Sequence, residues 1–386
     1  MKKKILFIID SLNCGGAEKS LVSLLPLLNQ EKYKVYLWML SATGPFVNLV
    51  PQNVEIITEP KYSFIESIMK FVGQMFFSLM IRLKRIFRIQ EHGAETLWKC
   101  MGWALKVPNG EWDVVVAYQQ GVPTYLVAEK IVAKKKFAWV NADIFAGGYN
   151  TAFNARFYRK FNVIVPVSGI LKKLMIEKLP EFKDKYEVVY DILNSEVIRE
   201  LSKEPVTRLR TKYDESVLVT TARLVKEKGY DIAVQAASIL KQNGVKFRWY
   251  FVGEGPERTN IERWKKELGV EEEVVLLGLQ TNPYAYMAQA DIYVQTSKFE
   301  GFGLTIGEAK ILGKPVVSTN FDVVHNQLTH GQNGLIADMS GESVAENILN
   351  LINDCDLKQT LVLAVKTEEN STLISEIIKV ETLIDC

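Results

Sequence analysis

ADIYVQTSKFEGFGLTIGEAKILG, residues Ala290 to Gly313, decides how the rest of the chain is read. Asp291 to Gln295 alternates apolar and polar residues of high β-propensity, which predicts a strand ending at Thr296 and Ser297. A loop carrying Gly301 and Gly303 follows. Ile306 to Leu312 then predicts a helix, with Thr305 as its N-cap and Glu308 in its first turn, where a carboxylate suits the positive end of the helix dipole. A strand, a glycine loop and a helix N-terminus bring backbone N–H groups toward one point, an arrangement that binds phosphate. Two carboxylates frame that point, Glu300 before the loop and Glu308 after it.

Carboxylates around an anion site suit a ligand in which a diphosphate is flanked by two polyols. The amides take the phosphates, and each glutamate accepts hydrogen bonds from sugar hydroxyls. A nucleotide sugar has that layout. On local chemistry alone, a helix N-terminus with an acidic first turn and a solvated glutamate nearby accounts for the same residues, since a lone glycine loop is a weak signal.

The wider motif favours the first of these readings. Glu300, Gly301, Phe302, Gly303, Leu304, Glu308, Ala309, Gly313, Pro315 and Val316 resemble the E-x7-E region of the family 4 retaining glycosyltransferases of the GT-B fold. The resemblance implies an α/β fold of two Rossmann-like domains facing each other across a cleft. It implies that Glu300 faces the hydroxyls of the donor sugar, that Glu308 binds the nucleotide ribose, and that the amides of Phe302, Gly303 and Leu304 face the diphosphate.

Upstream, Val217 to Thr221 predicts a strand followed by Ala222 to Gly229, ARLVKEKG, which resembles the family's G-R-L-x-x-x-K-G. Cations just past a strand end can reach a diphosphate, Arg223 as a fork and Lys228 as a point charge. Val274 to Gly278 resembles the strand whose following loop reads the base. Phe247 to Val252 is a further strand; its Gly253 and Gly255 mark a turn rather than a dinucleotide fingerprint, because the third glycine is absent.

The N-terminal half matches less closely. Lys4 to Ile9 predicts an apolar strand running into Asp10 to Glu18, with a helix from about Ala17. By resemblance, Gly15 and Gly16 lie in a loop facing the cleft. Further strands are predicted at Val35 to Met39, Val54 to Ile57, Asp113 to Ala117, Phe137 to Val140, Asn162 to Val167 and Glu187 to Tyr190, with Lys134 to Lys136 as a solvated corner. Asn141 stands where related sequences often carry the histidine of W-x-H-x-D, which implies a site that holds a hydrogen-bonding side chain but no proton carrier there. The domain reading places a boundary at Asn194: residues 1–194 on the acceptor side, 195–365 binding the nucleotide sugar, and 366–386 as a helix packing back across the junction. A helix and turn are predicted over Arg199 to Asp214, and an amphipathic helix over Leu373 to Ile384.

Lys61 to Lys106 is rich in Phe, Met, Ile and Trp, with an apolar periodicity from Ile65 to Leu83 and Arg82, Lys84, Arg85 and Arg88 at its end. Two readings stand: an interfacial membrane helix, or a buried helix with a solvated basic end.

Composition excludes several classes. Lys plus Arg number 47 against 45 Asp plus Glu, a net charge of +2, which argues against a nucleic-acid binder working through a global positive field. Only His92, His325 and His330 occur, and Cys14, Cys100, Cys355 and Cys386 lack C-x-x-C spacing, so neither a metal site nor a disulfide framework is expected. Ile5 to Ile9 is too short for a signal-peptide core, and charges interrupt the long apolar runs, so the chain is read as cytoplasmic, peripheral on the inner membrane face if residues 61–106 touch lipid. The implied partners are a nucleotide-sugar donor, most simply UDP-linked, and a glycan or lipid-linked acceptor of cell-surface polysaccharide assembly. No cofactor is expected, the nucleotide sugar being a substrate. A nucleotide-sugar epimerase of the same architecture and a non-catalytic nucleotide-sugar-binding subunit are the alternatives.

Overall fold

The computed structural model describes residues 2–13, 15–57, 60–87, 89, 91–145, 147–210 and 214–386, with backbone alone over 366–373. Cys14, Arg88 and the stretch 211–213 of the Arg199 to Asp214 reading lie outside the described residues. The chain divides into two compact units, one of Met1–Ile192 with Glu376–Cys386 and one of Leu193–Ser375.

The N-terminal unit holds strands β1 Lys3–Ile9, β2 Tyr33–Met39, β3 Glu55–Ile57, β4 Trp112–Ala117, β5 Ala133–Val140 and β6 Val163–Pro166. Its helices are α1 Gly16–Leu24, α2 Phe64–Phe87, α3 Gly93–Met101, α4 Val122–Glu129, α5 Thr151–Tyr158 and α6 Gly169–Lys178. The strands form one parallel sheet in the order β3-β2-β1-β4-β5-β6. Helices cover both faces of such a sheet, so its central strands read as unbroken apolar runs, and Ile5 to Ile9 are fully buried. Strand order reverses between β1 and β4, and doubly wound sheets receive ligands at the carboxyl ends of the strands at that point.

The C-terminal unit repeats the plan with β7 Ser216–Thr221, β8 Phe247–Val252, β9 Val274–Gly278, β10 Ile292–Gln295, β11 Val316–Thr319 and β12 Leu335–Ala337. Its helices are α7 Ser195–Ser202, α8 Tyr230–Gln242, α9 Arg258–Glu267, α10 Tyr284–Met287, α11 Leu304–Ile311, α12 Gly341–Asn353 and α13 Cys355–Asp385. The sheet order is β12-β11-β10-β7-β8-β9, all parallel, with the reversal between β10 and β7. The two-residue period of the strands sorts the core into two layers. Leu218, Trp249 and Phe251 pack with α8 and α12, while Val217, Val219, Tyr250 and Val252 pack with α7, α10 and α11.

Several expectations are corrected. Glu187 to Tyr190 is not a strand: Glu187 N still donates to Ile164 O, but the amide of Tyr190 turns to the Glu376 carboxylate at 2.9 Å and leaves the ladder. Lys134 to Lys136 is no corner but part of β5, where Lys134 pairs with Asp113 at 2.7 Å and the Lys136 ammonium donates to Ala128 O. The helix expected over Arg199 to Asp214 is α7, which starts at Ser195, capped by the Asn194 side chain, and ends at Ser202. The terminal helix begins at Cys355 rather than near residue 366. Charges do not interrupt every apolar run either, since α2 is long and apolar enough to cross a membrane by length and composition.

Candidate active site

In the C-terminal unit two loops meet where the strand order reverses. After β7 the chain passes Arg223, makes a tight turn at Lys226–Lys228 and reaches Gly229 at φ +62°. After β10 comes the glycine loop. The loops are fastened by Thr296 Oγ1 donating to Lys228 O at 3.0 Å and Lys298 N donating to Glu227 O at 2.7 Å. They touch so closely that a Cβ on Gly229 would lie 1.9 Å from Thr296 O. Only glycine meets both demands there.

This contact sets the Lys228 ammonium 2.6 Å from Glu300 Oε1. The same oxygen accepts from Ser297 Oγ at 2.7 Å and from the Gln295 amide. Gln295 is itself held by Tyr293 and Thr305, whose hydroxyls donate to its Oε1 at 2.9 Å each. All three bonds to Glu300 fall on one oxygen, so Oε2 is the atom that can accept from a ligand. The ammonium of Lys228 keeps further N–H groups for an anion. Arg223 is exposed and its guanidinium bonds to none of the described residues.

The helix after the loop starts earlier than expected. Gly303, at φ +83°, is the N-cap and Leu304 the first helical residue. Thr305 is therefore not the cap; its hydroxyl points to Gln295 instead. Glu308 sits in the second turn, fully buried, and accepts from the Tyr284 hydroxyl at 3.0 Å. Gln327 donates to the carbonyls of Phe302 and Gly303, which fixes the orientation of the peptides that precede the helix.

The N-terminal unit carries its own polar group of residues at the carboxyl ends of β1, β4 and β5. Gly15 caps α1 in extended conformation, and a Cβ there would lie 2.1 Å from Glu18 Oε2, so glycine lets that carboxylate fold over the loop before Gly16. Burial, with the charge of Glu18, pushes the Asp10 carboxyl up to about 6. Burial pushes Asp191 up to about 7, opposed by a hydrogen bond from Ser20. Ser20 shares a 2.9 Å hydrogen bond with the Tyr118 hydroxyl. Asn141 donates through Nδ2 to Tyr118 O at 2.7 Å, while its backbone N donates to the Gln120 side chain. Asn141 Oδ1 and Asp191 Oδ1 are both buried without a partner among the described residues. His92 caps α3 and stacks on Tyr149 with ring centres 3.7 Å apart, and burial lowers its pKa.

Lys228 and Glu300 are thus brought together, with Arg223 on the same loop as Lys228 and Phe302, Gly303 and Leu304 at the start of α11. Gly15, Gly16 and Asn141 belong to the other unit. Sequence reasoning missed Gln295, Asp10 and Asp191, and it gave Gln327 no role. A polar residue closing an apolar strand was the one available signal, for Gln295 and Asp10. Among the described residues no group of three or more His, Cys, Asp or Glu is gathered to hold a metal.

Residues 205–366, most of the C-terminal unit, match the family model described as Glycosyl transferases group 1. That segment thus carries a group 1 glycosyl transferase domain. Over 367 residues the chain is 25% identical to the N-acetylgalactosamine-N,N'-diacetylbacillosaminyl-diphospho-undecaprenol 4-alpha-N-acetylgalactosaminyltransferase of Campylobacter jejuni, covering 95% of this chain and 94% of that one. It is 28% identical over 206 residues to the N-acetyl-alpha-D-glucosaminyl L-malate synthase of Bacillus anthracis, 52% of each chain. The solved structure of Anabaena HepE in complex with UDP and glucose superposes with a TM-score of 0.70 at 18% identity, covering 100% of both chains. The fold is therefore GT-B.

Proposed function

We propose that this transferase moves a sugar, with retention of anomeric configuration and without a metal ion, from a UDP-sugar to a hydroxyl of a lipid-linked glycan in cell-surface polysaccharide assembly. The observation that carries the reading is the Lys228–Glu300 pair beside the N-terminus of α11. In this reading Glu300 Oε2 accepts from a hydroxyl of the donor sugar. Lys228, Arg223 and the first amides of α11 stabilise the charge that develops on the departing diphosphate. The choice of UDP is supported by the nucleotide in the Anabaena structure, and the lipid-linked acceptor by the diphospho-undecaprenol in the name of the Campylobacter relative. Glu308, engaged by Tyr284, holds the helix behind the loop and reaches a ribose only if that contact opens.

The test is an NMR screen of UDP- and GDP-sugars with and without detergent-solubilised lipid-linked acceptors. Acceptor-dependent release of UDP with an α-linked product from an α-donor is expected. Turnover with no acceptor would favour an epimerase. Saturable binding with no turnover under any acceptor would favour a nucleotide-sugar-binding subunit, a reading that Asn141 supports because an amide cannot carry a proton.

A further inference from the structure

Helix α2 is amphipathic in the wrong direction for a soluble protein. Its side turned to the protein is a narrow stripe on which Glu66, Lys70, Gly73 and Lys84 stand with the partly buried Phe77 and Met80. Gly73 approaches α3 so closely that a Cβ would lie 2.7 Å from Met101 Cβ, and the buried Lys84 donates to Thr96 Oγ1 at 2.7 Å and pairs with Glu91. Glu66, one turn from the start, pairs with Lys106 at 2.6 Å. Positions 66, 73 and 84 fall on one stripe at helical spacing. The opposite stripe, with Ile65, Ile68, Val72, Met75, Phe76, Leu79 and Leu83, faces solvent, and Phe64 at the helix start is 81% exposed. The alternative of a buried helix is therefore corrected: only Gly73 and Lys84 of α2 are buried.

The charge around this face is one-sided. Residues 61–106 carry eight lysines and arginines against three glutamates, in a chain whose whole net charge is only +2. Two of those glutamates are spent on lysines, Glu66 on Lys106 and Glu91 on Lys84 and Lys99, and the third, Glu95, is buried. Arg82 and Arg85 stay exposed beside the apolar stripe, and Trp103, 52% exposed, adds an amphipathic ring of the kind found at membrane interfaces.

We propose that α2 lies in the plane of an anionic lipid bilayer, its outward apolar stripe in the boundary between headgroups and acyl chains and its basic residues on the lipid phosphates. Such burial combines apolar area with attraction to anionic headgroups. A second copy of the chain is a poor occupant, because it would set one basic face against another. A spanning arrangement would pull Glu66 off Lys106 and Lys84 off α3, whereas the in-plane arrangement keeps every contact of the inward stripe. The proposal adds a partner to the transfer reaction and does not depend on the donor's identity.

The test uses flotation of the full chain with vesicles of phosphatidylcholine alone and of equal parts phosphatidylcholine and phosphatidylglycerol. Binding to the mixed vesicles is expected, at least about tenfold stronger than to neutral ones and weakened by salt. Met75→Glu with Leu79→Glu abolishes it; Arg82→Gln and Arg85→Gln each weaken it about fivefold on mixed vesicles alone. If the glutamate pair unfolds in a thermal melt, Met75→Ser with Leu79→Ser takes its place. Wild-type chain left unfloated, glutamate or serine variants floating like wild type, or self-association through α2 in sedimentation without vesicle binding would each overturn the proposal. UDP affinity measured on the same samples separates this outcome from a failure of the transferase reading, which would lose UDP and keep the vesicles.

Discussion

At the scale of single residues, Glu300 and Asp191 carry the sharpest expectations. Glu300→Gln keeps the shape and loses the charge that Lys228 answers; kcat is expected to fall by about a hundredfold or more, with UDP affinity changed only a few-fold, read by steady-state kinetics and calorimetry. An equal loss of both would argue that Glu300 serves only to seat Lys228. Asp191 titrates the other way from an ordinary surface carboxylate. Its folded pKa of about 7 stands well above the ordinary carboxylate range, so the stability it contributes is complete below about pH 4 and is lost as pH rises through 7. Asp191→Asn is therefore expected to be more stable than wild type near pH 8, by up to about 4 kcal/mol, and equal to it near pH 4, in denaturant melts at the two pH values. The glycines of both loops were legible in the sequence, because left-handed turns between a strand and a helix restrict the residues that can stand there. The pairing of Lys228 with Glu300, the burial of Glu308 and the burial of Asp191 were not, since each depends on which side chain a distant strand end happens to face.

At the scale of elements, the contact of the two loops of the C-terminal unit is the part to perturb. Gly229→Ala meets Thr296 O and a left-handed φ at once, so it is expected to cost more than about 1 kcal/mol and to weaken UDP binding by displacing Lys228. Gly244→Ala, at φ +70° with open space around its Cβ, shares the strain and not the collision. It should leave UDP affinity unchanged, and a matching loss in both variants would refute the role given to the loop contact. Strands such as Lys3–Ile9 and Phe247–Val252 could be read directly because a sheet covered on both faces demands continuous apolar runs. Lys134 to Lys136 hid the first half of β5, since long lysine stems lie along a strand while their ammonium groups find Asp113 and Ala128 O. Thr305 looked like a cap because a hydroxyl before a helix usually is one, and the left-handed Gly303 took that place instead.

At the scale of the whole molecule, the N-terminal unit is completed by residues 376–386. Asp385 accepts from the Lys3 ammonium and the Tyr33 hydroxyl at 2.9 Å each, Glu381 accepts from Asn29 N at 2.9 Å, and Val380 and Ile384 are buried. Deleting 376–386 removes two buried apolar side chains of roughly 1.5–3 kcal/mol each, so amide exchange in β1 and β2 should accelerate strongly. UDP affinity, which the proposed function places in the other unit, should hold; loss of UDP binding with unchanged exchange would refute the assignment of these residues. The sequence announced two α/β halves through their repeated strand and helix alternation, yet no local pattern could announce that Glu376 supplies the acceptor for Tyr190 N, because that bond joins positions 186 residues apart. The same bond has a consequence for biogenesis. A domain made first by the ribosome ordinarily folds first. Here the domain made first waits for residues translated after the whole of the second, so nascent chains would hold β1 and β2 unfinished until late in synthesis, exposed in the meantime to chaperones and proteases.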